Sequence, residues 1–247
     1  HEVSFYELSR PEAGQDFDVI LLYGTIVDYT HENKEVARLK KLFPKARVGI
    51  CGAFPSRYPK HFPAADFVFA GEAESFFMNE FLTIDQLSGH VPVKAMTDLE
   101  QLPCPDFTGF PIERYGYHPA LDDSPFVTLQ ASKGCPYSCK FYCTYGEYQG
   151  AKIRQRSAQK VVDDMVRVRD HFGVRSVQFR DPTFGLKKGF IEEFVKELRA
   201  RQVGIEWGME TRLDILTKKQ LKDMFEVGLR NINVGVETGV EEIASAQ

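Results

Sequence analysis

The sequence predicts an α/β chain in two parts: an open parallel sheet near the start, and later the beginning of a (β/α) barrel. Three observations predict it. Short apolar runs of strand length alternate with longer stretches that are apolar at helical spacing. The runs end on glycine or on polar side chains. The alternation lapses between about 85 and 125, where prolines, glycines and aromatics follow one another without period.

The elements follow in order. HEVSFYEL (1–8) reads as a strand already under way, and with no initiator methionine the chain is expected to be a fragment. DFDVILLYG (16–24) is near-continuously apolar, as a parallel strand covered on both faces must be. HENKEVARLKKLFP (31–44) carries Val36, Leu39, Leu42 and Phe43 at helical spacing, with Pro44 as its stop. ARVGICG (46–52) and ADFVFAGEAE (65–74) supply two more strands ending at Gly52 and Gly71. Such sheets take their ligands beyond the carboxyl ends of the strands. The loops after Leu22, Ile50 and Ala70 are therefore one candidate site. Thr25, Gly52 and Gly71 lie in them, where small residues let a large ligand approach the backbone.

Residues 85–124 read as an ordered linker, which sets the domains at 1–84 and 125–247. The second begins with the strand PFVTLQAS. The helix SAQKVVDDMVRVRDHFG follows, opened by Ser157 and closed by Gly173, and then the strand VRSVQFRD. The helix KKGFIEEFVKELRARQV, the strand GIEWGMETR, a helix capped by Thr217 and the strand RNINVGVETG complete it. Four strands with three crossovers make part of a barrel. Asp181, Glu210, Arg212 and Glu237 fall at or near strand carboxyl ends, where barrels place their chemistry.

Composition narrows the function. A net charge of −4 gives no general attraction for nucleic acid or anionic membrane. No apolar run approaches the roughly 20 residues needed to span a bilayer, and no signal peptide opens the chain, so the expected compartment is the cytoplasm. Five cysteines, an odd number spread over 247 residues, do not make a disulfide framework. Three of them, Cys135, Cys139 and Cys143, are evenly spaced in SKGCPYSCKFYCTYGEYQG. A structural zinc site wants four ligands, and neither His118 nor His171 stands at a finger spacing from them. Three thiolates on one loop suit an iron-sulfur cubane whose fourth iron is left for a substrate or cofactor. Cys51 and Cys104 read as small buried side chains.

SKGCPYSCKFYC, directly after the first strand of a (β/α) barrel, resembles the cluster loop of the radical S-adenosylmethionine (SAM) superfamily. In that family three cysteines hold a 4Fe-4S cluster, SAM chelates the fourth iron, and an electron cleaves SAM to a 5'-deoxyadenosyl radical. The family's usual spacing is three residues and then two; here it is three and three, with Tyr142 at the usual third position and Cys143 assigned as the third ligand. IRQRSAQKVVDDM, VQFRDPTF, WGMETRLDIL and NVGVETG occur in the order found in cobalamin-binding members. PKARVGICGAFPSRYP and ADFVFAGEAE are similar to their N-terminal cobalamin domain, with Cys51 in place of the first of two glycines and Gly71-Glu72 intact. The resemblance implies a Rossmann-like cobalamin-binding sheet lacking its first strand, followed by a radical SAM barrel lacking its last strands.

It also implies roles. Cys135, Cys139 and Cys143 hold the cluster, and Tyr142 joins the cofactor-binding residues. Asp181 meets the SAM amino group or is a cap or turn residue. Arg212 grips the SAM carboxylate or pairs with Glu210 or Asp214. Glu237 binds ribose hydroxyls. Cobalamin takes the loops at Thr25, Gly52 and Gly71, without a histidine ligand, since no DxHxxG segment is present and His31 reads as a solvated or capping residue. The implied activity is reductive cleavage of SAM and cobalamin-dependent methylation of an unactivated carbon in a small molecule, with flavodoxin or ferredoxin as reductant. A radical SAM cyclisation or rearrangement, a methylthiotransferase and a non-catalytic metal-binding module are the alternatives. Methylthiotransferases carry three further N-terminal cysteines, whereas only Cys51 and Cys104 precede this barrel.

Overall fold

The computed structural model describes residues 16–79, 86–137, 139, 143–236 and 238–244. The opening run HEVSFYEL lies outside them. Two compact units divide the chain: one within Tyr6–Thr97 together with Thr144–Gly150, the other within Asp98–Cys143 and Ala151–Gln247.

In the first unit, β1 (Val19–Tyr23), β2 (Arg47–Cys51), β3 (Phe67–Ala70) and β4 (Gly89–Pro92) pair in that order, all parallel. Between them run α1 (Tyr29–Leu42), α2 (Ala53–Arg57) and α3 (Ala73–Asn79). Side-chain alternation along the strands sorts the core into two layers. Val48 packs with Val36, Leu39 and Phe43 of the α1 segment, and Ile50 with Phe62 and Val68. Phe67 and Phe69 point the other way, onto Phe76, Leu87 and Val91. Fully burying each such side chain contributes about 1.5–3 kcal/mol. The first helix stops one residue earlier than its apolar spacing suggests, because Phe43 precedes Pro44 and leaves helical geometry at φ −125°, ψ 69°.

In the second unit, β5 (Phe126–Leu129) is followed by the two-residue strand β6 (Ser132–Lys133). The short helix α4 (Tyr145–Tyr148) belongs to the first unit, and the chain re-enters the second at β7 (Arg154–Gln155). Then come α5 (Ala158–Phe172), β8 (Ser176–Phe179), α6 (Phe190–Arg201), β9 (Glu206–Glu210), α7 (Lys218–Glu226), β10 (Leu229–Asn233) and α8 (Glu241–Ala244). The main sheet is parallel in the order β10-β9-β8-β5, so α5, α6 and α7 are the three expected crossovers.

The helix ends are those the sequence signalled. Ser157 Oγ accepts from the Lys160 N–H, Gly173 closes α5 in left-handed geometry, and Thr217 and Gln220 form a reciprocal capping box on α7. Val162, Met165, Val168, Val177, Phe179, Phe194, Trp207 and Met209 are fully buried and centre the core on β8 and β9. The interval 85–124 contributes β4 to the first sheet and short 3-10 turns at Leu99–Gln101 and Ile112–Arg114 to the second unit.

Candidate functional site

The cysteine loop has a built base. Ser132 pairs with Gln155 and Lys133 with Arg154 in an antiparallel ladder, which closes the chain between them into a loop anchored at both ends. Arg156 extends the anchor: its N–H donates to the Ala131 carbonyl at 3.0 Å and its Nη1 to the Gln130 carbonyl at 3.1 Å. Its Nη2 meets Asp164 Oδ2 at 2.5 Å, with the two side chains only 5% and 2% exposed. Breaking such a pair by removing one partner leaves a buried charge unpaired, which costs about 3–5 kcal/mol. Its burial at the base of the loop gives Arg156 a structural role there.

The turn after β8 supports the loop from below. Asp181 is completely buried and accepts from the Ala131 N–H at 2.8 Å and from Ser132 Oγ at 2.5 Å. Burial pushes its carboxyl up to about 7, against the pull of those hydrogen bonds and of Arg156. Two residues on, Thr183 Oγ1 lies 3.9 Å from Cys135 Sγ, with both residues buried. Gly134 enters the loop at φ +82°, a conformation glycine adopts without strain.

Above the end of β9, Arg212 binds Asp214 through two hydrogen bonds, at 3.0 and 2.7 Å. Glu210 is engaged by Arg180, whose guanidinium also lies 5.2 Å over the Tyr117 ring. Arg212 stands 4.4 Å over the ring of Tyr137, between Cys135 and Cys139. The end of β9 thus reaches the cysteine loop. Cys135 is buried, Cys143 half-buried and Cys139 exposed, all as free thiols. Among the described residues no three His, Cys, Asp or Glu side chains converge closely enough to hold a metal ion. The donor set of three unpaired thiols on one anchored loop fits a cluster taking three thiolates. Tyr142 and Glu237 lie outside the described residues.

In the first unit, the loops at the carboxyl ends of β1, β2 and β3 are tied together. Thr25 is held by Glu32, whose carboxylate accepts from its N–H at 3.0 Å and its Oγ1 at 3.1 Å. Gly52 and Gly71 each turn at φ +125°, and a Cβ there would lie 2.7 Å from the Gly24 carbonyl oxygen and 2.4 Å from that of Val93. Both positions therefore require glycine on backbone grounds alone. Ser56 joins the two turns, its hydroxyl donating to the Gly52 carbonyl at 2.6 Å and accepting from the Gly71 N–H at 3.1 Å. Sequence reasoning passed over Ser56, since a lone serine inside AFPSR carries no pattern. Ile26 and Val27 stand exposed at the end of β1, Val27 by 90%. Burial pushes the Cys51 thiol up to about 11, which keeps it a neutral packing group. His31 is exposed on the first turn of α1.

A partial (β/α) barrel with three cysteines on an anchored loop after its first strand defines the class, and residues 129–246 match the family model described as the radical SAM superfamily. That match covers just under half of the chain, most of it in the second unit.

The relatives are more particular. The chain is 24% identical to the cytidylyl-2-hydroxyethylphosphonate methyltransferase of Streptomyces wedmorensis, covering 90% of this chain and 50% of that protein. It is 30% identical to the anaerobic magnesium-protoporphyrin IX monomethyl ester cyclase of Rubrivivax gelatinosus, over 78% of this chain and 38% of that one. The fold is similar to that of the radical S-adenosylmethionine methyltransferase TsrM from Kitasatospora setae, solved with tryptophan substrate and a SAM analogue. There the TM-score is 0.72 at 14% identity, covering 94% of this chain and 51% of that one. The chain spans about half, or less, of the length of these relatives.

Proposed function

We propose that the protein this chain represents cleaves SAM reductively on a 4Fe-4S cluster held by Cys135, Cys139 and Cys143, and uses cobalamin to methylate a carbon of a small molecule. The observation that carries the reading is the anchored three-thiol loop at the carboxyl end of the first strand of the partial barrel that the radical SAM family model matches. When bound, the cluster delivers the electron that splits SAM, and cobalamin carries the methyl group.

The chain's own residues bind, orient and exclude water. The β6–β7 ladder and Arg156 fix both ends of the loop, Asp181 holds its first turn, and the thiols are drawn together by metal binding itself. Arg212, already oriented by Asp214 and Tyr137, offers its guanidinium to the SAM carboxylate, and Glu237 is assigned to the ribose hydroxyls. Asp181, sealed under the loop, acts through Ser132 and the Ala131 N–H. The cobalamin is assigned to the loops at Thr25, Gly52 and Gly71, whose exposed neighbours Ile26 and Val27 give it apolar contact. The electron comes from a low-potential donor of the flavodoxin or ferredoxin kind.

A second reading, cyclisation rather than methylation, is favoured by the 30% identity to a cyclase over most of this chain. The two share the cluster and SAM and differ in the fate of the substrate. The test is anaerobic reconstitution of the full-length protein, reduction, and chromatography for 5'-deoxyadenosine. We predict one cluster per chain and formation of the nucleoside, with Cys135→Ala, Cys139→Ala and Cys143→Ala each losing both. A cluster-replete protein that forms no nucleoside refutes the enzymatic reading. Tight zinc with no iron uptake would support the binding module.

A further inference from the structure

We infer that Thr183 is a positioning and tuning residue of the cluster: its hydroxyl donates a hydrogen bond to the sulfur of Cys135. The inference rests on the cluster assignment just given. Thr183 Oγ1 and Cys135 Sγ are 3.9 Å apart, and the two residues are 2% and 7% exposed, so water does not compete for either atom. With Cys135 as a free thiol the hydroxyl donates to the Pro182 carbonyl at 2.8 Å. A thiolate bound to iron has no proton, so a bond between the two groups must then run from hydroxyl to sulfur. Hydrogen bonds to a charged acceptor are roughly twice as strong as neutral ones, so rotation about the Thr183 side chain favours the sulfur over the carbonyl.

The position is set by the fold rather than by chance rotamers. Asp181, two residues earlier on the same turn, pins Ala131 and Ser132 at the start of the loop that leads through Gly134 to Cys135. The turn after β8 therefore fixes the backbone carrying the hydroxyl relative to the start of the loop that carries the sulfur. A donor at a cluster sulfur stabilises the reduced, more negative state and raises the reduction potential.

The experiment compares wild type, Thr183→Val and Thr183→Ser in the full-length protein, with iron and sulfide content and a spectroscopically monitored reductive titration without SAM. Valine keeps the shape and removes the hydroxyl; serine keeps the hydroxyl. We expect Thr183→Val to load iron as wild type does but to reduce at a more negative potential, and Thr183→Ser to return toward wild type. A Thr183→Val cluster with the wild-type potential and spectrum overturns the inference. Loss of the cluster in valine but not serine upholds it. Loss in both, while wild type loads, assigns the position a packing role and overturns it. A wild type that takes up no iron refutes the cluster assignment beneath.

Discussion

Asp181 shows what a single residue does here and how its role could have been read. From the sequence it stood at a strand end with two roles open. Every residue of β8 is buried, so alternation along the strand does not decide which way Asp181 faces; only its place at the strand end was legible. What the carboxylate meets there was not, because Ala131 and Ser132 lie some fifty residues earlier and nothing local joins them. Its carboxyl is raised from 3.8 to about 7 by burial, so between those values the folded state holds a proton that the unfolded state has lost. Stability attached to this group is fully present below pH about 4 and falls as pH rises through about 7. At about 1.4 kcal/mol per unit the effect can reach several kcal/mol. Thermal melts across that range should show wild type losing stability relative to Asp181→Asn as pH rises; parallel profiles would refute the raised value.

At the scale of the element, most strands and the long helices were legible from their apolar runs, periods and caps, whereas β4 lies in the interval read as a linker and α2 and α3 were not foreseen. The apolar runs gave β1, β2 and β3, and Ser157, Gly173 and Thr217 gave helix ends. The short pieces were not legible. β6 and β7 have two residues each and α4 has four, too few for any periodicity to register. Yet the ladder between β6 and β7, with the buried pair of Arg156 and Asp164, is what holds the cysteine loop. We predict that Arg156→Ala lowers stability by about 3–5 kcal/mol in urea denaturation and weakens cluster retention. The double variant Arg156→Met with Asp164→Leu should recover most of the stability, since an apolar pair of similar size removes the unpaired charge. Equal loss in the single and double variants would show that the loop carbonyl at Gln130, not the ion pair, is the important partner.

For the whole molecule, the two parallel sheets followed from the α/β rhythm, while their strand order came from the structure and reaction type rests on the relatives. Those relatives include both a methyltransferase and a cyclase, and each is longer than this chain. Among the described residues no helix is long and apolar enough to cross a membrane. The decisive measurement on the full-length protein is cobalamin uptake: incubation with hydroxocobalamin, desalting and a visible spectrum. We predict stoichiometric retention that survives His31→Ala, since His31 is exposed on α1 and holds no place in the strand-end turns. No retention by a folded protein would make it a cobalamin-free radical SAM enzyme, and loss only in His31→Ala would make that histidine the cobalt ligand.

The ladder at the base of the cysteine loop bears on the unusual three-and-three spacing. Once Lys133 and Arg154 are paired, the chain between them is a closed loop whose ends no longer depend on its contents. Closure entropy rises only with the logarithm of length, so one extra residue in a loop of this size costs well under about 0.1 kcal/mol. The scaffold is thus nearly indifferent to one residue more or less between Cys139 and Cys143, while Cys135 is held against the turn after β8. An added residue before Cys143 therefore leaves the barrel beneath undisturbed, and the geometry of the iron decides whether that thiol binds.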